Sequence, residues 1–177
     1  MSRYTWDRGS RANNRVIGIA VALIVLTAAA AFGYQYWQGR PQIPGAISNQ
    51  LDFSPLVLGR SPDYKADNFK YDADNEVLSY LVNGSGVKVA VSEQVQPPQF
   101  TEVEGYKDRF LSNALQQYAA VQTSNGTVYL CRPPKSSGKQ VAIMFEKGLM
   151  IFFTPDSKDL SERQWRQLAE QFVVQKI

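Results

Sequence analysis

Residues 76–93 read EVLSYLVNGSGVKVAVSE. Two runs rich in β-branched and aromatic side chains flank Asn83-Gly84-Ser85-Gly86, and asparagine and glycine tolerate the positive φ that a tight hairpin turn needs. In the second run Val87, Val89 and Val91 point one way while Lys88, Ala90 and Ser92 point the other, the period of a strand with one covered face. The stretch therefore predicts a β-hairpin, and the pattern recurs along the chain. Residues 69–72 form a short strand candidate ahead of the turn-rich Asp72-Ala73-Asp74-Asn75. Residues 118–123 and 127–132 flank Ser124-Asn125-Gly126, and residues 141–146 and 149–154 flank Lys147-Gly148.

Helices punctuate these strands. Gln96-Pro97-Pro98-Gln99 breaks the first group, and Tyr106, Phe110, Leu111 and Ala114 stand at near-helical spacing within 105–117. Near the end, Ser161 followed by Gln164 has the spacing of a capping box. Trp165, Leu168, Ala169, Phe172 and Val173 then fall at i, i+3, i+4, i+7 and i+8, opposite Arg163, Arg166, Gln167 and Glu170. Such a stripe needs a partner surface. Trp165, Leu168 and Phe172 are expected to lie on the sheet, with the indole against Ile143, Phe145 or Ile151. The expected fold is α+β: an antiparallel sheet of five to seven strands with helices on one side, closed by a C-terminal amphipathic helix.

The chain ahead of the sheet has a different character. Residues 16–39 hold no charged side chain, and 16–34 read VIGIAVALIVLTAAAAFGY. As a helix, that run rises about 28 Å, enough to cross a bilayer core of about 30 Å. Tyr34, Tyr36 and Trp37 follow where an aromatic belt meets headgroups. Arg3, Arg8, Arg11 and Arg15 precede the run, while Arg40 is the lone basic residue soon after it, so the positive-inside rule places the N-terminus in the cytoplasm and the sheet outside. Residues 1–15 are thus expected to be a basic cytoplasmic tail, 16–37 a transmembrane helix, 38–50 a linker without core residues, and 51–177 an extracytoplasmic domain. A cleaved signal peptide is the competing reading, since Ala28 to Ala31 offer small residues at a cleavage spacing. Gly18 and Ala22 stand four apart, so homodimerisation through the span stays open beside the plainer reading that such residues are common in single spans.

Composition narrows the chemistry. The chain has 177 residues, 44% hydrophobic and 20% charged, which excludes long disorder and leaves room for one ordinary domain. It has no histidine and one cysteine, so His-dependent triads and an intrachain disulfide are excluded. The net charge of +3 is carried by residues 1–15, where four arginines face Asp7, so the basic balance describes a tail and not a nucleic-acid surface. Asp72, Asp74 and Glu76 alternate as calcium ligands can, but Val77 and Asn83 stand where an EF-hand loop needs glycine and glutamate. A solvated turn explains them better. Glu93, Glu102 and Glu104 are candidate paired carboxylates with nothing to set their separation. Ser136, Ser137 and Lys139 could make a Ser-Lys dyad but read as a solvated loop. Cys131 reads as a small buried hydrophobe, or less favourably as a reactive thiol or one half of an intermolecular disulfide. Asn83-Gly84-Ser85 and Asn125-Gly126-Thr127 fit the N-glycosylation pattern and also explain themselves as turns.

The order of elements, with YLVNGSGVKVAVSEQ at 80–94, NGTVY at 125–129 and the ending 141–172, resembles uncharacterised single-pass bacterial membrane proteins of the actinobacterial type with an extracytoplasmic domain of unknown function. More distantly the sheet and helix are similar to LolA-like or photosystem-extrinsic-protein-like domains. The resemblance is topological and implies no catalytic residue, metal or cofactor. Together these readings lead us to expect a membrane-anchored extracytoplasmic binding or scaffolding domain without catalysis, held by the lipid bilayer, with an envelope protein as partner and no nucleic acid. The alternative is a carrier or sensor of a small hydrophobic ligand or lipid. A hydrolase is the least favoured reading.

Overall fold

The hairpins anticipated from alternation join into one antiparallel sheet. The structure is a computed structural model that describes residues 43–134 and 138–176. The expected tail with Arg3, Arg8, Arg11 and Arg15, the span 16–37 with Tyr34, Tyr36 and Trp37, and the Ser136-Ser137 pair lie outside the described residues. Strands β1 (Leu56–Leu58), β2 (Tyr64–Asp72), β3 (Val77–Gly84) and β4 (Val87–Val95) come first. Two short helices follow, α2 (Gln99–Glu102) and α3 (Tyr106–Arg109), the latter running into a π-helical turn at Phe110–Ala114; α1 (Gly45–Ser48) precedes β1. Then come β5 (Gln117–Thr123), β6 (Gly126–Cys131), β7 (Val141–Glu146), β8 (Leu149–Pro155), helix α4 (Glu162–Ala169) and β9 (Phe172–Val174). Seven strands are ordered β2-β3-β4-β8-β7-β6-β5, and β1 pairs with β9 in a separate two-stranded ribbon. Two meanders, β2–β4 and β5–β8, therefore meet along β4 and β8. Among the described residues no helix is long and apolar enough to cross a membrane.

Local chemistry sets the turns. The first hairpin turns at Ser85-Gly86, both at positive φ (48° and 72°), while Asn83 and Gly84 belong to β3. Gly84 is required for another reason: a Cβ there would stand 1.9 Å from the carbonyl oxygen of Asp63, where β2 begins. In β2 the register shifts between Asp67 and Lys70, with Asn68 in the left-handed region at φ 56°. This bulge sends Phe69 inward, where it stacks on Tyr80 at 5.0 Å.

The first face of the sheet carries Tyr80, Val89, Val91, Met144, Ile151 and Phe153, covered by α4 and by β1 and β9. Trp165 is 1% exposed. Its ring meets Phe153 edge-on at 6.0 Å, and Phe172 meets Phe153 at 5.5 Å. Of the partners expected for Trp165, Ile151 shares its core, whereas Ile143 and Phe145 lie on the opposite face of the sheet. The capping box at Ser161 and Gln164 is formed, but the helix ends at Ala169. Phe172 is buried from strand β9, and Val173, expected on the apolar stripe, is exposed. The amide of Asn125 stops the helix from across the fold, donating to the carbonyls of Ala169 (2.9 Å) and Phe172 (2.8 Å).

Two further expectations need correction. Helices cover parts of both faces: Leu111 of the π-helical turn and Leu115 just after it pack with Cys131, Ile143 and Met150 on the second face. The stretch taken as linker also enters the core, because Ile43 is buried and Ile47 packs beside it.

Helix α4 is anchored by a buried polar residue as well. Gln140 Oε1 accepts hydrogen bonds from the Trp165 indole N–H (3.0 Å) and the Leu160 N–H (2.8 Å), while its Nε2 donates to the Leu160 carbonyl (3.2 Å) and the Tyr118 hydroxyl (2.5 Å). With every polar atom of its amide used, Gln140 is buried without penalty. Trp165→Ala should therefore destabilise the domain by about 3–5 kcal/mol in denaturant unfolding, through the lost ring and the loss of one of the two hydrogen bonds that Gln140 Oε1 accepts. Arg166→Ala, on the exposed face of α4, should cost under about 0.5 kcal/mol.

Candidate functional site

The second face is covered unequally. Over β6, β7 and β8 it is sealed by an aromatic cluster in which Phe100 meets Tyr106 (4.9 Å), Phe110 (5.0 Å) and Phe145 (5.2 Å). Lys107 caps this cluster over Tyr129 and Phe145. Among the described residues nothing equivalent lies over β2, β3 and β4, and a solvent-open groove of about 530 Å³ remains there. Asn68 and Lys70 of β2 form one wall, Ser79 and Leu81 of β3 with Ala90 and Ser92 of β4 form the floor, and Thr154 of β8 closes the far side.

Register explains why these residues meet. Lys70 pairs with Ser79 and Ser79 with Ser92, while Leu81 pairs with Ala90 and Ala90 with Thr154. Two cross-strand rows thus lie side by side, and the small Ser79, Ser92, Ala90 and Thr154 within them leave the hollow. The bulge at Asn68 adds a donor to the rim. Among the described residues, the hydroxyls of Ser79, Ser92 and Thr154, the Asn68 amide and the Lys70 ammonium have no side-chain partner. Lys88 and Asp156 pair at 3.1 Å beside the groove, both largely exposed.

The carboxylate candidates separate. Glu102 and Glu104 are exposed, whereas Glu93 is 0% exposed on the first face. Its Oε2 accepts the Leu56 N–H of β1 at 2.9 Å, and its Oε1 lies 2.6 Å from the Tyr80 hydroxyl. That hydroxyl is also 3.2 Å from the Leu56 carbonyl oxygen. Burial pushes the Glu93 carboxyl up to about 7, the hydrogen bonds from Tyr80 and Leu56 opposing it, and burial raises the Tyr80 phenol. A carboxyl sealed beneath a strand cannot reach a substrate, so Glu93 is not half of a hydrolytic pair in this arrangement.

Other candidates resolve into structure. Asp72 accepts hydrogen bonds from the side chain of Asn75 (2.8 Å) and from the backbone N–H groups of Asn75 and Asp74; the Asn75 side chain is the main reason its carboxyl stays below the usual range. That carboxylate closes the turn. Among the described residues no three acidic or cysteine side chains gather as a metal would require. Asn125 spends its amide on the end of α4, and Asn83 donates to Asp67 at 3.3 Å. Arg132 forms an ion pair with Asp159 and also donates to the Gly138 carbonyl.

Comparison of the chain with family models, curated proteins and solved structures gives no match, so the site is read from its own geometry. The groove is the feature that alternation alone half revealed, through Ala90 and Ser92. The positions of Lys70 and Thr154 depend on a bulge and on the non-local β4–β8 pairing.

Cys131 faces the second core with Tyr129, as unbroken alternation requires, and burial pushes its thiol up to about 11. It should stay protonated at neutral pH. A thiol reagent at pH 8 should label the folded chain at least about a hundredfold more slowly than the denatured one, and non-reducing gels should show no disulfide-linked dimer.

Proposed function

We propose that this chain is a membrane-tethered, extracytoplasmic binding domain without catalytic activity, and that the open groove over β2–β4 is its ligand surface. The observation that carries the reading is the row of unpartnered polar groups along a concave sheet face, on a scaffold of rigid paired strands. Lys70 offers only donors and a positive charge, while Asn68 and the three hydroxyls can donate or accept, so the fitting ligand is polar and brings acceptor oxygens to Lys70. The uncharged run 16–37 between a basic tail and the sheet supports the tether and its orientation. The resemblance to single-pass envelope proteins is in keeping with this reading, and the partner we propose is an envelope component. A carrier of hydrophobic ligands is the second reading; the apolar floor at Leu81 and Ala90 favours it, and the polar walls weigh against it.

Two experiments test the proposal. A photoreactive residue at Ala90 should give one discrete adduct in native membranes, lowered at least about tenfold by Ser92→Trp in the same groove. The same group at Arg166 on α4 should give none. Equal adducts at both places, or an Ala90 adduct that ignores Ser92→Trp, would contradict the groove. For the tether, a reporter fused after Ile177 should be active only outside the cytoplasm, and moving the arginines from 3, 8, 11 and 15 into 38–50 should reduce that activity. A cytoplasmic reading from the unaltered fusion would overturn the orientation.

A further inference from the structure

We infer that Glu93 is carried as a neutral carboxylic acid whose proton completes a closed ring of hydrogen bonds joining β4, β3 and β1, forming a proton-dependent latch on the β1–β9 ribbon. The geometry is that of three groups within bonding distance of one another: Glu93 on β4, Tyr80 on β3 and the main chain of Leu56 on β1. The Tyr80 hydroxyl has two acceptors in reach, the Glu93 carboxyl at 2.6 Å and the Leu56 carbonyl at 3.2 Å, but one proton to give.

Protonation of Glu93 resolves that competition. The carboxyl O–H donates to the Tyr80 oxygen, the Tyr80 O–H donates to the Leu56 carbonyl, and the Leu56 N–H donates back to Oε2 of Glu93. Every donor then has an acceptor and the ring closes. When Glu93 is ionised, the Tyr80 proton turns to the carboxylate, the bond to the Leu56 carbonyl is lost, and a full negative charge sits buried with two hydrogen bonds but, among the described residues, no cation beside it. Among the described residues Tyr80 is the titratable group that faces Glu93. On the neighbouring strands the paired residues are Leu78 and Ile151, and β1 offers main chain.

The latch holds a short element. β1 is three residues long, paired with three residues of β9, and it follows the segment 43–55 by which the chain enters the domain. Opening β1 brings water to Glu93, whose carboxyl then ionises in the ordinary range near 4.5 instead of near 7. The open form therefore binds the proton more weakly, and the closed form loses ground as pH rises between those two values.

Amide hydrogen exchange of the full chain in detergent micelles tests this at the Leu56 N–H, which is itself a bond of the ring. After correction for the intrinsic pH dependence of exchange, protection at Leu56 should fall about tenfold per pH unit from near 4.5 to near 7 and then level off. Glu93→Gln, which can donate to Tyr80 and accept from Leu56 without a titrating proton, should abolish that slope. A flat profile in the wild type, or an unchanged slope in Glu93→Gln, would overturn the latch. The infrared spectrum of the wild type needs no variant. At pH 6, where exposed carboxylates are ionised, one protonated-carboxyl band per chain should persist and fade with a midpoint near 7. Its absence would equally overturn the inference.

Discussion

The pairing of β4 with β8 is the interaction on which the rest of the structure depends. Each meander is built from local hairpins whose turns need little more than Ser85-Gly86 or Lys147-Gly148. What makes one sheet of them is seven register pairs, from Val89 with Pro155 to Val95 with Leu149, across a wide gap in sequence. Closing such a gap costs chain entropy that the local hairpins do not. The return is the burial of Ile151 and Phe153 against Val91 and the surface on which Trp165 docks.

The same seam sets the chemistry of both faces. On one, Ala90 and Ser92 of β4 adjoin Thr154 of β8, and their small side chains leave the groove open. On the other, Glu93 sits opposite Ile151 beneath β1. A strand whose alternate residues are small and polar on one side and buried on the other can present a ligand surface while contributing to the core. The aromatic cluster around Phe100 stops short of β4, which is why the groove is confined to one half of the sheet.

How much of this was legible in the sequence follows from how local each signal is. The hairpins could be read because asparagine, glycine and two-residue periodicity act within a few residues of one another. β1 and β9 could not, since three-residue strands pairing Leu56 with Val174 carry no local mark. Phe172 continued the helical spacing of Trp165 and Leu168, yet α4 ends at Ala169 because the Asn125 amide reaches its last turn from another hairpin. Ile143 and Phe145 were placed against Trp165 because alternation tells which residues share a face but not which face meets the helix. Glu93 was within reach: it continues the Val87, Val89, Val91 series, and period two alone puts it among buried valines. What the pattern could not supply was its partners, Tyr80 and the main chain of Leu56.

The seam can be tested through the opening free energies of its two sides. Native-state hydrogen exchange along β3, β4, β7 and β8 of the full chain should report one shared value for the slowest amides of both meanders, since the core on the first face draws on both. If the amides of β3 open at a distinctly lower free energy than those of β7, with β4 divided from β8, the two meanders are separate units and the seam does not govern the fold.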